Sequence, residues 1–239
     1  PVPRPPGFVD DGLNYGRDVV ERLVGGCVDA RVVLDVGAGS GADLQGARRR
    51  LPQAALHAVE CHAPNVEALR AQGVVVHALD LERDRLPFGD GQVDLIIANQ
   101  VLEHTKELFW IAHEASRVLR EGGSLVIGVP NLASLHNRIL LAIGRQPTPI
   151  RSASAHVRGF TRPDLLDFFG DCFPDGYRLE GFGGSNFYPF PPMLARPLAR
   201  LMPTLAWGIF LRLVKQRPYQ RQFLDFPDVH RLETRFHLG

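Results

Sequence analysis

The chain of 239 residues has only three cysteines, Cys27, Cys61 and Cys172. Their number is odd and no CxxC spacing occurs, so neither a disulfide framework nor a cysteine-ligated zinc site is expected. Lysine is almost absent, occurring only at Lys106 and Lys215, so the basic charge is arginine. The formal net charge of +1 gives no general case for nucleic-acid binding. No apolar run reaches the ~18 residues of a membrane span; Pro203–Val214 comes nearest and Arg212 interrupts it. Internal repeats and low-complexity tracts are missing. The proline-rich start lacks the charged-then-apolar pattern of a leader, so a reducing cytoplasm is the expectation.

What is present is a strand-and-helix alternation. Pro1–Gly12 reads as an irregular lead-in. Leu13 to Val24 reads as a helix with Val19, Val20, Leu23 and Val24 on one side, ended by Gly25 and Gly26. Arg31–Val36, Ala55–Glu60, Val74–Leu79, Val93–Ala98 and Ser124–Val129 are short β-branched apolar runs of the buried parallel type. Helices are expected between them: one up to Arg50, then Asn65–Gln72, then Leu108–Leu119 stopped by Gly122–Gly123. Leu86–Gly91 reads as a loop. Such alternation calls for a doubly wound, Rossmann-like α/β sheet with right-handed crossovers.

Beyond Pro130 the pattern loosens. Helices are expected at Leu132–Ile143, Arg162–Phe169 (with Thr161 as N-cap) and Met193–Leu201, and strands at Tyr177–Phe182 and Trp207–Val214. The division expected is a lead-in over 1–12, one domain over 13–215 and a tail over 216–239 with no assigned structure. Within the domain, 13–131 forms a cofactor half and 132–215 a substrate-side half.

The chemistry concentrates at Val33–Gly41, where Gly37, Gly39 and Gly41 alternate just after a strand. Glycine permits positive φ and close approach of a ligand to the backbone, and the following helix offers free N–H groups. About twenty residues on, Glu60 ends the next strand, where a carboxylate can accept both ribose hydroxyls of an adenosine. The turn is GxGxG, not the GxGxxG of dinucleotide oxidoreductases, which favours a cofactor carrying an amino-acid tail over NAD or FAD.

These segments resemble the class I S-adenosylmethionine-dependent methyltransferases. Val33–Gly41 (VLDVGAGSG) resembles their first motif, Ala58–Glu60 the ribose-binding strand end, Asp80 with Leu86–His104 the run through the fourth strand, and Val118–Asn131 the following segment. The likeness covers Leu13–Asn131 and is nearest to the subgroup containing ubiquinone-pathway O-methyltransferases and methyltransferases of sugars and natural products. His156–Thr161 and Trp207–Lys215 match in part. The resemblance implies a seven-stranded, mostly parallel sheet with an antiparallel last strand and helices on both faces. It implies S-adenosylmethionine as cofactor and S-adenosylhomocysteine as product. Asp35 lies in the first motif; Gly37, Ala38 and Gly39 would face the methionine portion. Glu60 would hold the ribose, Cys61 would lie beside the adenine, and Asp80 and Leu81 would bond it. Asn99 and Gln100 would sit under the methionine end, and Tyr15 would close over the cofactor.

For the chemical step, His104 is the first candidate base, with Glu103 orienting it or bonding the substrate and His156 as second candidate. The bland alternative for each histidine is a loop-ordering or surface role. His57, His62, His77, His113, His136, His230 and His237 are read as structural or solvated, and no metal site is expected. The expected acceptor is a small molecule or glycan methylated on oxygen, and no nucleic acid. Transfer to nitrogen or carbon, a cofactor-binding regulatory protein without turnover, and an NAD-dependent oxidoreductase are the alternatives. Gly181–Leu224 has no Asp or Glu but carries Arg196, Arg200, Arg212, Lys215, Arg217 and Arg221. It reads either as elements packed on the core with solvated arginines or as a basic, apolar face for a phosphate-bearing or lipid-linked acceptor or a membrane surface.

Overall fold

The apolar runs fold into one sheet in the computed structural model, which describes residues 16–232. The strands are β1 (Val32–Val36), β2 (Ala55–Val59), β3 (Val75–His77), β4 (Val93–Asn99), β5 (Leu119–Pro130), β6 (Tyr177–Ser185) and β7 (Gly208–Lys215). They lie in the order β3-β2-β1-β4-β5-β7-β6. β1 to β5 are parallel neighbours. β7 runs antiparallel to both β5 and β6. This is the expected seven-stranded, mostly parallel sheet with an antiparallel last strand.

Helices α1 (Arg17–Val24), α2 (Ala42–Arg50) and α3 (Ala63–Ala71) precede β4, and α4 (Leu108–Val118) follows it. α5 (Leu135–Ala142), α6 (Arg162–Cys172), α7 (Pro192–Leu201) and α8 (Gln222–Val229) complete the helices of the described residues. Successive strand residues point to opposite faces, and both faces are covered. Val33, Leu95 and Ile97 pack with Val20, Leu23, Leu44 and Leu69 on one side. Leu34, Ile96 and Ile127 pack with Val118, Phe169 and Phe173 on the other. Truncating one of these leucines to alanine costs about 2–5 kcal/mol.

Strand order reverses at β1, which has β2 on one side and β4 on the other. The crevice beyond the carboxyl ends of these strands is where such sheets bind ligands. The loop before β4 is fixed by a buried ion pair. Glu114 accepts from the Leu86 amide at 2.7 Å and from Arg117 Nη2 at 2.6 Å, while Arg117 donates to the Leu86 and Phe88 carbonyls.

Several boundaries differ from expectation. The helix expected to run to Leu119 ends at Val118, and β5 starts at Leu119 with Gly122 and Gly123 inside it. The register jumps from Val93↔Leu119 to Leu95↔Ser124, so the strand bulges at this pair. Gly123 has no room for a side chain, since a Cβ would lie 2.8 Å from the Arg120 carbonyl oxygen. β6 continues beyond Phe182 because Gly183 and Gly184 let α1 and the Pro203 turn approach its backbone. Thr161 caps α6 as expected, accepting from the Asp164 amide.

The stretch after Lys215 forms α8, whose Phe223 is fully buried against Phe168, Phe169 and Phe173. Lys215 is 4% exposed and therefore no part of a basic surface. Its ammonium donates to the Ser116 and Leu119 carbonyls at 2.7 and 2.6 Å, closing the carboxyl end of α4. Ser185 and Gly208 are register partners, so the segment bearing α7 leaves and rejoins the sheet at one point. Among the described residues no helix is long and apolar enough to cross a membrane.

Candidate functional site

At the end of β1, Gly37, Gly39 and Gly41 all adopt left-handed φ values of 70°, 53° and 85°. Their surroundings differ. A Cβ on Gly37 would meet Val101 at 2.7 Å and one on Gly41 would meet Leu69 at 2.6 Å, whereas Gly39 has nothing within 4 Å. The first and last glycines thus serve packing, and the middle one opens onto the crevice. The Gly37 and Ala38 amides donate to the Val59 carbonyl, which joins the turn to β2. The Gly39 amide donates to Glu60 Oε2 at 2.8 Å, and the His62 amide to Glu60 Oε1 at 2.8 Å. Each Glu60 oxygen keeps a second lone pair for a ligand hydroxyl.

Beside the turn lies an acidic cradle. Asp35 is 2% exposed, and Asn99 Nδ2 donates to Asp43 Oδ2 at 2.9 Å. Asp35 Oδ2, Asp43 Oδ1 and Asn99 Oδ1 are buried without a hydrogen-bond partner. Burial holds the Asp35 carboxyl well above the usual range, and the charges of Asp43 and Glu60 push it the same way. Asp43 is raised by burial, against the Asn99 hydrogen bond and the charge of Arg17. Orphaned acceptors cost free energy until a donor arrives, and a ligand ammonium supplies several N–H groups at once. This donor demand fits the amino-acid arm of S-adenosylmethionine. Gly128 makes the arrangement sterically feasible, since a Cβ there would lie 2.3 Å from Asn99 Oδ1. Gln100 follows with φ 58°, a strained value for a non-glycine residue, and its amide donates to the Gly128 carbonyl at 2.8 Å.

The other expected cofactor residues lie around the ends of β2 and β3. Cys61 is exposed and adjoins Glu60. Asp80 is exposed in the loop after β3, where its carboxylate accepts from the Glu82 amide at 2.9 Å. Leu81 is half-buried and lines an apolar cavity with Val36, Leu86 and Leu102. Tyr15 and His237 lie outside the described residues.

One turn of 3-10 helix, Leu102–His104, follows β4. Glu103 is 1% exposed and both its carboxylate oxygens lack a partner. Burial pushes its pKa up to about 7, and only its own backbone N–H, too poorly placed for a hydrogen bond, pulls against the rise. The loop after α5 brings His156 to His104, with ring centroids 4.7 Å apart and edge to face. His104 Nδ1 lies 3.3 Å from the Ala155 carbonyl oxygen and His156 Nδ1 2.9 Å from that of Pro149. Burial lowers the His156 pKa, and His104 lowers it further. The two loops are stitched together: the Val157 amide donates to the Glu103 carbonyl at 2.8 Å, and Arg158 donates to the Thr105 and Lys106 carbonyls.

Asp43 and Gly128 had not been singled out from the sequence. An acid in the first turn of a helix after a glycine turn is a usable signal for Asp43; Gly128 gives none, being one glycine in an apolar strand. Of the remaining described histidines, His57 and His77 stack on each other beside Phe88, and His113 bonds the Tyr219 hydroxyl at 2.9 Å.

A family described as methyltransferase domain matches residues 34–127. A probable S-adenosylmethionine-dependent methyltransferase of Mycobacterium tuberculosis is 34% identical over 156 residues, covering 64% of this chain and 52% of that protein. The chain thus spans about half the length of that relative. A malonyl-(acyl-carrier protein) O-methyltransferase of Halorhodospira halophila is 27% identical, covering 77% of this chain and 69% of that protein. The crystal structure of a SAM-dependent methyltransferase from Archaeoglobus fulgidus has the same fold. Its TM-score is 0.59 at 16% identity, covering 85% of this chain and 94% of that one.

Proposed function

We propose that the chain is a class I S-adenosylmethionine-dependent methyltransferase, a reading supported by the matched methyltransferase-domain family and the similar proteins, and that it methylates an oxygen of a small-molecule or glycan acceptor. The observation that carries this reading is the set of orphaned acceptors on Asp35, Asp43 and Asn99 beside the open Gly39. Those acceptors take the cofactor's ammonium. Gly37, Ala38 and Gly39 line its methionine portion, and the spare lone pairs of Glu60 take the ribose hydroxyls. Cys61, Asp80 and Leu81 border the adenine, and Asn99 and Gln100 underlie the sulfonium.

The cofactor supplies a methyl group on a sulfonium, poised for in-line displacement. The acceptor oxygen forms the new C–O bond as the S–CH3 bond breaks, and that electron pair stays on sulfur in S-adenosylhomocysteine. Alignment supplies much of the rate. The acceptor's proton leaves toward the cluster of Glu103, His104 and His156. His104 is its exposed member, and with Nδ1 engaged by Ala155 its Nε2 is the nitrogen left for the acceptor. Transfer to oxygen is supported by the Halorhodospira relative, whose name states O-methylation.

Calorimetry with S-adenosylhomocysteine and with NAD, followed by a turnover screen over hydroxyl and carboxyl acceptors, tests the reading. S-adenosylhomocysteine binds and NAD does not. His104→Ala keeps the cofactor affinity and loses turnover at least tenfold. NAD binding alone overturns the proposal. Cofactor binding without turnover on any acceptor reduces it to a binding protein.

A further inference from the structure

We propose that Glu103, His104 and His156 form a site for a divalent transition-metal ion of the zinc type, bound through the two Nε2 atoms and the Glu103 carboxylate. One ligand atom from each residue lies within 4.8 Å of the others. Bonds of about 2.0–2.2 Å to a common ion put such donors ~3–3.5 Å apart, so small side-chain rotations complete the site.

Three features suit these residues to an ion. First, both imidazoles present the same nitrogen. Each Nδ1 is held by a backbone carbonyl, Ala155 for His104 and Pro149 for His156. This fixes the tautomer with a lone pair on Nε2, and metal-binding histidines are oriented by this kind of outer contact. Second, Glu103 is buried with two unpartnered oxygens. A buried carboxylate without donors or counter-charge is costly, and a cation supplies the missing charge. Third, the two loops are tied together by the Val157–Glu103 backbone bond and by Arg158, so the ligands stand on a common frame.

The donor set chooses the cation. Two imidazoles with one carboxylate suit zinc, cobalt or iron(II), whereas magnesium and calcium prefer oxygen ligands throughout. Three protein ligands leave at least one position open. The use of the ion rests on the methyltransferase reading above, but its binding does not. An acceptor hydroxyl in the open position is acidified by the ion. Its proton then leaves to solvent, so with the ion bound His104 is a ligand, and the direct contact of its Nε2 with the acceptor described above belongs to the ion-free chain. The acceptor class this favours has a second oxygen adjacent to the methylated one, able to chelate.

The test uses the full chain stripped with a chelator and titrated calorimetrically with Zn2+, and separately with Mg2+. One Zn2+ binds per chain and Mg2+ does not compete. Glu103→Gln, His104→Ala and His156→Ala each weaken Zn2+ at least tenfold while S-adenosylhomocysteine affinity is kept, which reports an intact fold. Should a variant fail to fold, Co2+ added to the wild-type chain gives the visible bands of a low-coordinate, nitrogen-ligated ion. No saturable Zn2+ binding, equal binding by the three variants, or a purely octahedral Co2+ spectrum overturns the site. Cofactor binding without Zn2+ binding leaves the methyltransferase reading standing; Zn2+ binding without cofactor binding does the reverse.

Discussion

The Gly39 amide and the Glu60 carboxylate, 21 residues apart in the chain, meet in a hydrogen bond of 2.8 Å. The open point of the glycine turn and the acid of the neighbouring strand are therefore one structural unit. Glu60 also accepts from the His62 amide, so it shapes the crevice as well as facing it.

Glu60→Gln places an amide NH2 opposite one of these two backbone donors. Hydrogen bonds to charged groups are worth about 1.5–3 kcal/mol. Affinity for S-adenosylhomocysteine is expected to fall tenfold or more by isothermal titration. Unchanged affinity would remove Glu60 from the cofactor site.

Asp35→Asn should separate stability from binding. The native carboxyl is buried, with one oxygen unpartnered and the acids Asp43 and Glu60 nearby. Neutralising it is expected to raise stability by about 1 kcal/mol, in line with strained functional sites, while weakening S-adenosylhomocysteine. Denaturant melts and calorimetry on the same sample decide. A loss of both, or a gain of both, contradicts the cradle described above.

His113 gives a pH signature. Burial lowers its pKa from 6.5 to about 4, opposed by Glu114 and assisted by Arg117, Arg221 and Arg85. Between these values the unfolded chain binds more protons than the folded one. Stability is therefore complete above pH 6.5 and falls as pH drops toward 4, by up to about 3 kcal/mol. His113→Gln should flatten that part of the curve in urea melts taken at successive pH values. A wild-type curve already flat over this window refutes the assignment.

Lys215→Met keeps the length of the side chain and removes the donor from the Ser116 and Leu119 carbonyls. Leaving them unpaired costs about 2 kcal/mol, or a drop in Tm of about 4–8 °C for a chain of this size. A thermal melt unchanged within a degree would mean water replaces the ammonium.

The parallel half of the sheet was legible because each strand is a short apolar run bounded by glycine or proline, and periodicity reports burial directly. The Gly37–Gly41 turn and Glu60 were legible for a related reason: both sit at strand ends fixed by that pattern. What escaped was tertiary. Nothing in the tail signals that Phe223 is fully buried or that Lys215 turns inward. The pairing of His104 with His156 joins loops 51 to 54 residues apart and no local pattern encodes it. The glycines at Gly122 and Gly123 were read as a helix stop because glycine breaks helices, but here they let a strand bulge.

Ser185 and Gly208 are register partners, so the segment 186–207 leaves and rejoins the sheet at one place, and Asn131 ties its far end down by donating to the Thr204 and Ala206 carbonyls. Lengthening or shortening such an excursion changes its closure entropy only logarithmically and leaves the β6–β7 register as it is. The part of the molecule that carries α7 can thus vary in length while the strand ends that bear Gly39 and Glu60, on the far side of β5 from β7, stay where they are.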